Sequence, residues 1–115
     1  MNELVYIASP YTHSDPDVVV ENYRIVSAYT AKLVSEGTVA VSPITYGHTL
    51  LSFCQMPSDW EFWQHFCITL LSKCDRLIVL KMQGWDASRG VALEIEFAEA
   101  NGIPVEYQTF IKVEL

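Results

Sequence analysis

The stretch Trp85-Asp86-Ala87-Ser88-Arg89-Gly90-Val91-Ala92-Leu93-Glu94 leads from a strand-like run into a helical pattern. It brings a hydroxyl, a guanidinium, a glycine and a carboxylate to one helix start. Such a turn offers unpaired backbone N–H groups to an anion, and Arg89 adds positive charge. It is neither a P-loop, lacking Gly-x4-Gly-Lys-Ser/Thr, nor a Gly-x-Gly-x-x-Gly dinucleotide fingerprint. Glu94 carries the sharper expectation. At about 100° per residue, Val91, Leu93, Ile95, Phe97 and Ala98 form one broad apolar arc. Glu94 falls inside that arc, whereas Glu96 and Glu99 project elsewhere. A carboxylate there must be hydrogen-bonded, protonated, or turned towards a cleft. It is either a rim acid held by a tyrosine hydroxyl or a nucleophile or base at the mouth of a sheet.

The elements around it follow from apolar runs and their punctuation. Leu4–Ala8, Thr38–Val41, Arg76–Leu80 and Val105–Tyr107 read as strands, with Phe110–Val113 a candidate fifth. Asp15 and Pro16 open a helix that keeps Val19, Tyr23, Val26 and Leu33 in phase until Gly37. Tyr46, Gly47 and His48 are expected in a loop. Ser58-Asp59-Trp60-Glu61 has the form of a capping box, opening a helix with Trp60, Trp63, Gln64, Cys67 and Leu71 on one stripe. A last helix, Val91–Ala100, closes on a left-handed Asn101-Gly102 cap. Strands alternating with helices predict an α/β domain over residues 1–115. The expected architecture is a three-layer flavodoxin/Rossmann-like sandwich with a mainly parallel, four- to five-stranded sheet. Two strands exit with the same chemistry, Ala8-Ser9-Pro10-Tyr11-Thr12 and Val41-Ser42-Pro43-Ile44-Thr45. In an open parallel sheet, ligands bind outside those carboxyl ends.

Composition narrows the partners. The 115 residues carry 7 Lys+Arg against 14 Asp+Glu, a formal net charge of −7, which disfavours a nucleic-acid polymer as ligand. Gly and Pro number five each and half the residues are hydrophobic, which excludes collagen-like and disordered chains. Mean hydropathy is +0.18, and no apolar run approaches the roughly 18 residues of a membrane span. Cys54, Cys67 and Cys74 match no zinc spacing and sit among apolar neighbours, so buried thiols are expected, with no metal and no cofactor. With no basic leader ahead of Leu4, the expected location is cytoplasmic. The apolar content points to a subunit interface, for which the Trp60–Leu71 stripe is the candidate.

Taken together, Tyr6-Ile7-Ala8-Ser9-Pro10, Cys74-Asp75-Arg76-Leu77-Ile78-Val79-Leu80 and Gly84-Trp85-x-x-Ser88-x-Gly90-Val91-x-x-Glu94 resemble the nucleoside 2-deoxyribosyltransferase superfamily, which includes nucleoside 5′-monophosphate N-glycosidases. The likeness runs from Val5 to Val105 and rests on the order and spacing of the motifs. It implies that Glu94 attacks the anomeric carbon of a (deoxy)ribosyl group and that the Tyr6 hydroxyl orients it. Nucleoside-specific transferases carry Asp six residues before the nucleophile; Ser88 stands there here. With Arg89 and Gly90, that favours a 5′-phosphate. Ser9, Pro10, Tyr11, Ser42, His48 and Trp85 complete the expected substrate site, with Trp60, Trp85 or Tyr11 available to stack on a base. The acid that relatives use to protonate the leaving base falls at about Cys67, so Asp86 is expected to donate that proton, with His48 the other candidate. The resemblance also implies a homodimer or higher even-numbered assembly. Two further readings remain open: a nucleotide-binding sensor without turnover, and a flavodoxin-like interaction module.

Overall fold

Side chains from Val5 to Ala8 are apolar on both sides of the strand, so both faces of the sheet need cover. The computed structural model, which describes residues 3–110, provides it. In chain order the elements are β1 (Leu4–Ala8), α1 (Pro16–Ser35), β2 (Val39–Val41), α2 (Pro43–Leu51), α3 (Trp60–Ser72) and β3 (Arg76–Leu80). A short 3-10 turn over Trp85–Ala87, α4 (Arg89–Ala100) and β4 (Val105–Gln108) follow. The four strands are all parallel, in the order β2-β1-β3-β4. This is a Rossmann-like three-layer α/β arrangement.

Register decides which side chains meet which helices. Tyr6 pairs with Leu77 and Ala8 with Val79. These four pack with Cys67 and Leu71 of α3 and Val91 and Ala98 of α4. The alternate residues Val5, Ile7, Ile78 and Leu80 pack with Val26 and Tyr29 of α1 on the opposite face. A slip of one residue would exchange the two sets, taking Tyr6 away from α4.

The chain leaves β1 towards β2 on one side and reaches β3 and β4 on the other, so the strand order reverses between β1 and β3. In open α/β sheets the crevice for ligands lies outside the carboxyl ends at that point. The amino end is tied differently. Asp75 Oδ2 accepts the Leu4 N–H at 2.8 Å, and the Asp75 N–H donates to the Leu4 carbonyl at 2.8 Å. Arg76 pairs with Glu106 and with Glu3, the latter at 3.3 Å. The Cys-Asp dipeptide before β3 is therefore a strand-end clasp.

Helix starts hold the main departures from the sequence reading. Asp15 caps α1 as expected, accepting the Asp17 N–H at 2.9 Å with Pro16 in the first turn. The segment expected to be a loop at Tyr46, Gly47 and His48 is helix α2. Ser42 Oγ accepts the Thr45 N–H at 3.1 Å, and Pro43 fits the first turn because no N–H is needed there. Gly47 disguised this helix, since glycine costs about 1 kcal/mol relative to alanine in a helix interior. A Cβ there would stand 3.4 Å from the Trp63 ring.

The expected capping box before α3 does not form. Asp59 is the N-cap, with no side-chain cap bond, and Glu61 pairs with Arg89 instead. Cys67 and Leu71 are buried and Gln64 exposed. Since Trp60 and Trp63 also pack against the core, the stripe proposed for a subunit interface is used inside the fold. Helix α4 starts two residues earlier than expected, at Arg89, and ends at a left-handed Gly102 with φ +72°. Cys67 and Cys74 are buried as expected, but Cys54 is exposed beyond the end of α2. Of the candidate fifth strand only Phe110 lies among the described residues, outside any strand, its ring edge-on to Tyr29 at 5.4 Å. Among the described residues no helix is long and apolar enough to cross a membrane.

If Ser42 caps α2, replacing it with alanine should cost about 1 kcal/mol of stability. Ser42→Asp should retain most of it. Urea denaturation distinguishes a cap from a loop serine, which would tolerate both changes equally.

Candidate active site

The parity that turns Tyr6 towards α4 leaves its hydroxyl in an apolar core, where it needs a partner. Glu94 is that partner: the Tyr6 hydroxyl donates to Glu94 Oε2. Glu94 is 4 % exposed. Among the described residues no cation pairs with it, and burial, which penalises the ionised form, pushes its pKa up to about 8. The Tyr6 hydrogen bond opposes that shift. Burial first, and then the charge of Glu94, hold the Tyr6 hydroxyl well above the ordinary phenol range. Cys67 adjoins both, and burial raises its thiol to about 12. The three groups form a dry cluster whose only readily ionised member is Glu94.

Above this cluster lies a cavity of about 80 Å³ at the carboxyl end of β1, partly open to solvent. That is smaller than the roughly 300–1,000 Å³ of typical small-molecule sites, but it adjoins a second hollow of about 800 Å³. Four elements build its wall. Ser9, Tyr11 and Thr12 come from the β1 exit, and Pro43, Ile44, Gly47, His48 and Leu51 from α2 and its i, i+3, i+4 face. Asp59, Trp60, Trp63 and Cys67 come from α3 and its cap, and Ser88, Gly90, Val91 and Glu94 from the start of α4.

Two polar atoms of this wall are buried without a protein partner, Ser9 Oγ and Trp60 Nε1. Ser9 as a whole is only 5 % exposed. Buried polar groups ordinarily find partners, so both atoms suit a bound ligand or ordered water. The Trp60 indole is pressed onto α4. A Cβ on Gly90 would come within 3.0 Å of its Cε3 atom, so the glycine is what permits this approach. Ser88 caps α4, its Oγ accepting the Val91 N–H at 3.3 Å. The N–H groups of Arg89 and Gly90 have no intrahelical acceptor at this terminus.

His48 is held from two sides. Its Nδ1 lies 2.7 Å from the Tyr11 hydroxyl, and its ring stacks on Tyr23 at 3.9 Å between centroids. Asn22 Nδ2 donates to the Tyr11 carbonyl at 3.2 Å, fixing that loop to α1.

The sequence-derived site is thus gathered in part. Glu94, Tyr6, Ser9, Tyr11, His48, Ser88 and Gly90 converge on the cavity or its floor. Pro10 and Arg89 line a neighbouring hollow that shares Thr12, Trp60, Ser88 and Gly90 with the first. Arg89 leans on Glu61 in solvent. Ser42 is a helix cap rather than a wall residue. Trp85 packs edge-on against Tyr107 at 5.7 Å, with Lys81 at 6.0 Å from its ring, and Asp86 is exposed in the 3-10 turn. Neither lines either hollow: Trp85 packs on the core beside Tyr107 and Asp86 is exposed. The sequence reading missed Asp59, Trp63 and the apolar α2 wall. Ile44, Gly47, His48 and Leu51 at helical spacing were the available signal. Among the described residues no group of three or more metal-ligating side chains occurs.

Because Glu94 binds its proton more tightly folded than unfolded, its contribution is complete below about pH 4.5 and lost as pH rises through about 8. Glu94→Gln cannot titrate. Its stability relative to the unmodified protein should therefore rise by on the order of 2–3 kcal/mol between pH 5 and 8. Urea unfolding at several pH values measures this; parallel pH dependences would mean that Glu94 is not buried as described.

No curated protein matches the sequence. The family model for a domain of unknown function, DUF1937, matches residues 3–109. The chain belongs to that family.

Proposed function

We propose that the cavity binds a nucleoside 5′-monophosphate and cleaves its N-glycosidic bond, or transfers the (deoxy)ribosyl group, with Glu94 as nucleophile. The observation that carries this reading is a buried carboxyl group, aligned by a tyrosine hydroxyl, on the floor of a cavity at the carboxyl end of the sheet. A carboxylate so placed can trap an oxocarbenium-like carbon as the base departs, and water or a second base then resolves the glycosyl-enzyme. Glu94 attacks in its ionised form, which burial disfavours; its proton leaves to solvent before the bond to C1′ forms, and a positive centre above it favours that ionised form. Tyr6 restricts the carboxylate to one orientation and stays neutral. The α4 terminus at Ser88 and Gly90 offers N–H donors to a phosphate, and Ser9 Oγ and Trp60 Nε1 offer hydrogen bonds to ligand oxygens. Tyr11, Trp60 and Trp63 supply aromatic surface for a base.

Cys67 favours a second reading, nucleotide binding without turnover, because a thiol raised to about 12 is a poor acid for a departing base. One experiment separates them. Ribo- and deoxyribonucleoside 5′-monophosphates are incubated with the protein and free base is read by chromatography, with binding measured in parallel by calorimetry. We expect base release that Glu94→Gln lowers by roughly 1,000-fold or more, with binding retained. Tyr6→Phe should lose roughly 10- to 100-fold, as for a group that orients another. Release undiminished by Glu94→Gln would refute the mechanism. Saturable binding with no release over long incubation would establish the second reading.

A further inference from the structure

The departing base must leave with a proton, and the acid that supplies it has to border the same cavity as Glu94. Among the described residues, the protonatable side chains lining that cavity are Glu94, Cys67, Tyr11, His48 and Asp59. Glu94 is committed as nucleophile and Cys67 is too weak an acid. Tyr11 is itself raised by burial. Asp59 is exposed at the α3 terminus and makes no side-chain cap hydrogen bond that would orient it towards a ligand. That leaves His48.

We infer that His48, clamped by Tyr11 and Tyr23, is the general acid that protonates the leaving base; this rests on the glycosidic reading above. The geometry gives its two nitrogens different tasks. Nδ1 faces the Tyr11 hydroxyl at 2.7 Å, and among the described residues no hydrogen bond engages Nε2. In the imidazolium form Nδ1–H donates to Tyr11, and Nε2–H is available to the ligand. Stacking on Tyr23 at 3.9 Å fixes the ring plane. Because α2 supplies His48 and α4 supplies Glu94, acid and nucleophile reach the ligand from different walls.

The reaction balances on these two residues. The C1′–N bond breaks with its electron pair passing to the base, which takes the Nε2 proton, while a Glu94 oxygen bonds C1′. Water then attacks C1′, its proton returns to His48 Nε2, and the Glu94–C1′ bond opens to release sugar phosphate and the carboxylate. Imidazolium and carboxylate are both restored.

The test compares two leaving groups. Guanosine 5′-monophosphate needs its base protonated on departure; the 7-methyl derivative already carries the positive charge and needs no acid. His48→Asn should lower kcat on the unmodified nucleotide by roughly 100- to 10,000-fold. On the methylated nucleotide the loss should stay under about 10-fold, a selectivity that a merely structural role would not produce. Tyr11→Phe, which keeps the stack, should show the same selectivity with a smaller loss of roughly 10-fold. Equal losses on both nucleotides, no loss on either, or the selective loss appearing in Asp59→Asn instead would overturn the assignment. If the unaltered protein releases base from neither of these nor from any other nucleoside 5′-monophosphate, the glycosidic reading itself falls and takes this one with it. If Glu94→Gln stops both while His48→Asn stops neither, only the acid assignment falls.

Discussion

The hydrogen bond from Tyr6 to Glu94 joins the central strand to the helix that follows the next one, across the apolar layer between them. Everything else in the site is arranged around keeping that bond dry and aligned. Removing either partner leaves a polar atom stranded among Cys67, Val79 and Val91, a loss that ordinarily costs about 1–3 kcal/mol for a neutral group. Sheet register and helix phase must therefore agree to within one residue. The parity of β1 turns Tyr6 to this face, the pairing with β3 fixes its height, and the Ser88 cap fixes the rotation of α4. The apolar arc containing Glu94 is broken by one carboxyl group because that group has a phenol waiting for it.

Much of this arrangement was legible in the order of residues. Continuous apolar strands called for cover on both faces, and Glu94 stood out as an acid in an apolar arc. Asp15-Pro16, Gly37 and Asn101-Gly102 marked helix ends correctly, because caps act through local backbone geometry that a few residues determine. The parts that were not legible depended on contacts between distant segments. Gly47 looked like loop chemistry, yet it is a buried residue of α2 that faces the Trp63 ring. Ser58 and Glu61 formed a plausible local cap, but Glu61 is drawn to Arg89, 28 positions away. Asp86 and Trp85 lay in the expected motif, yet Asp86 is exposed and Trp85 packs on the core against Tyr107 of β4, a residue far along the chain that local composition does not report.

The division of labour between the two ends of the sheet follows from chemistry as well as topology. Charged pairs and the Asp75 clasp gather at the amino end, where Arg76 meets Glu3 and Glu106. At the carboxyl end the cavity is lined by hydroxyls, two indoles, the His48 imidazole and two acids, Glu94 and Asp59, with the Arg89–Glu61 pair beside it.

The contact between Trp60 and Gly90 has an evolutionary corollary. A methyl on Gly90 would stand 3.0 Å from the indole, so the ring would have to yield by a few tenths of an ångström and the two positions constrain each other. Lineages that trade the indole for a smaller ring gain latitude at the glycine, whereas a larger residue at the glycine forces the ring to swing aside and merges the two hollows it now separates. Substitutions at these two sites should therefore be inherited as a pair, and the shape of the chamber should change in discrete steps.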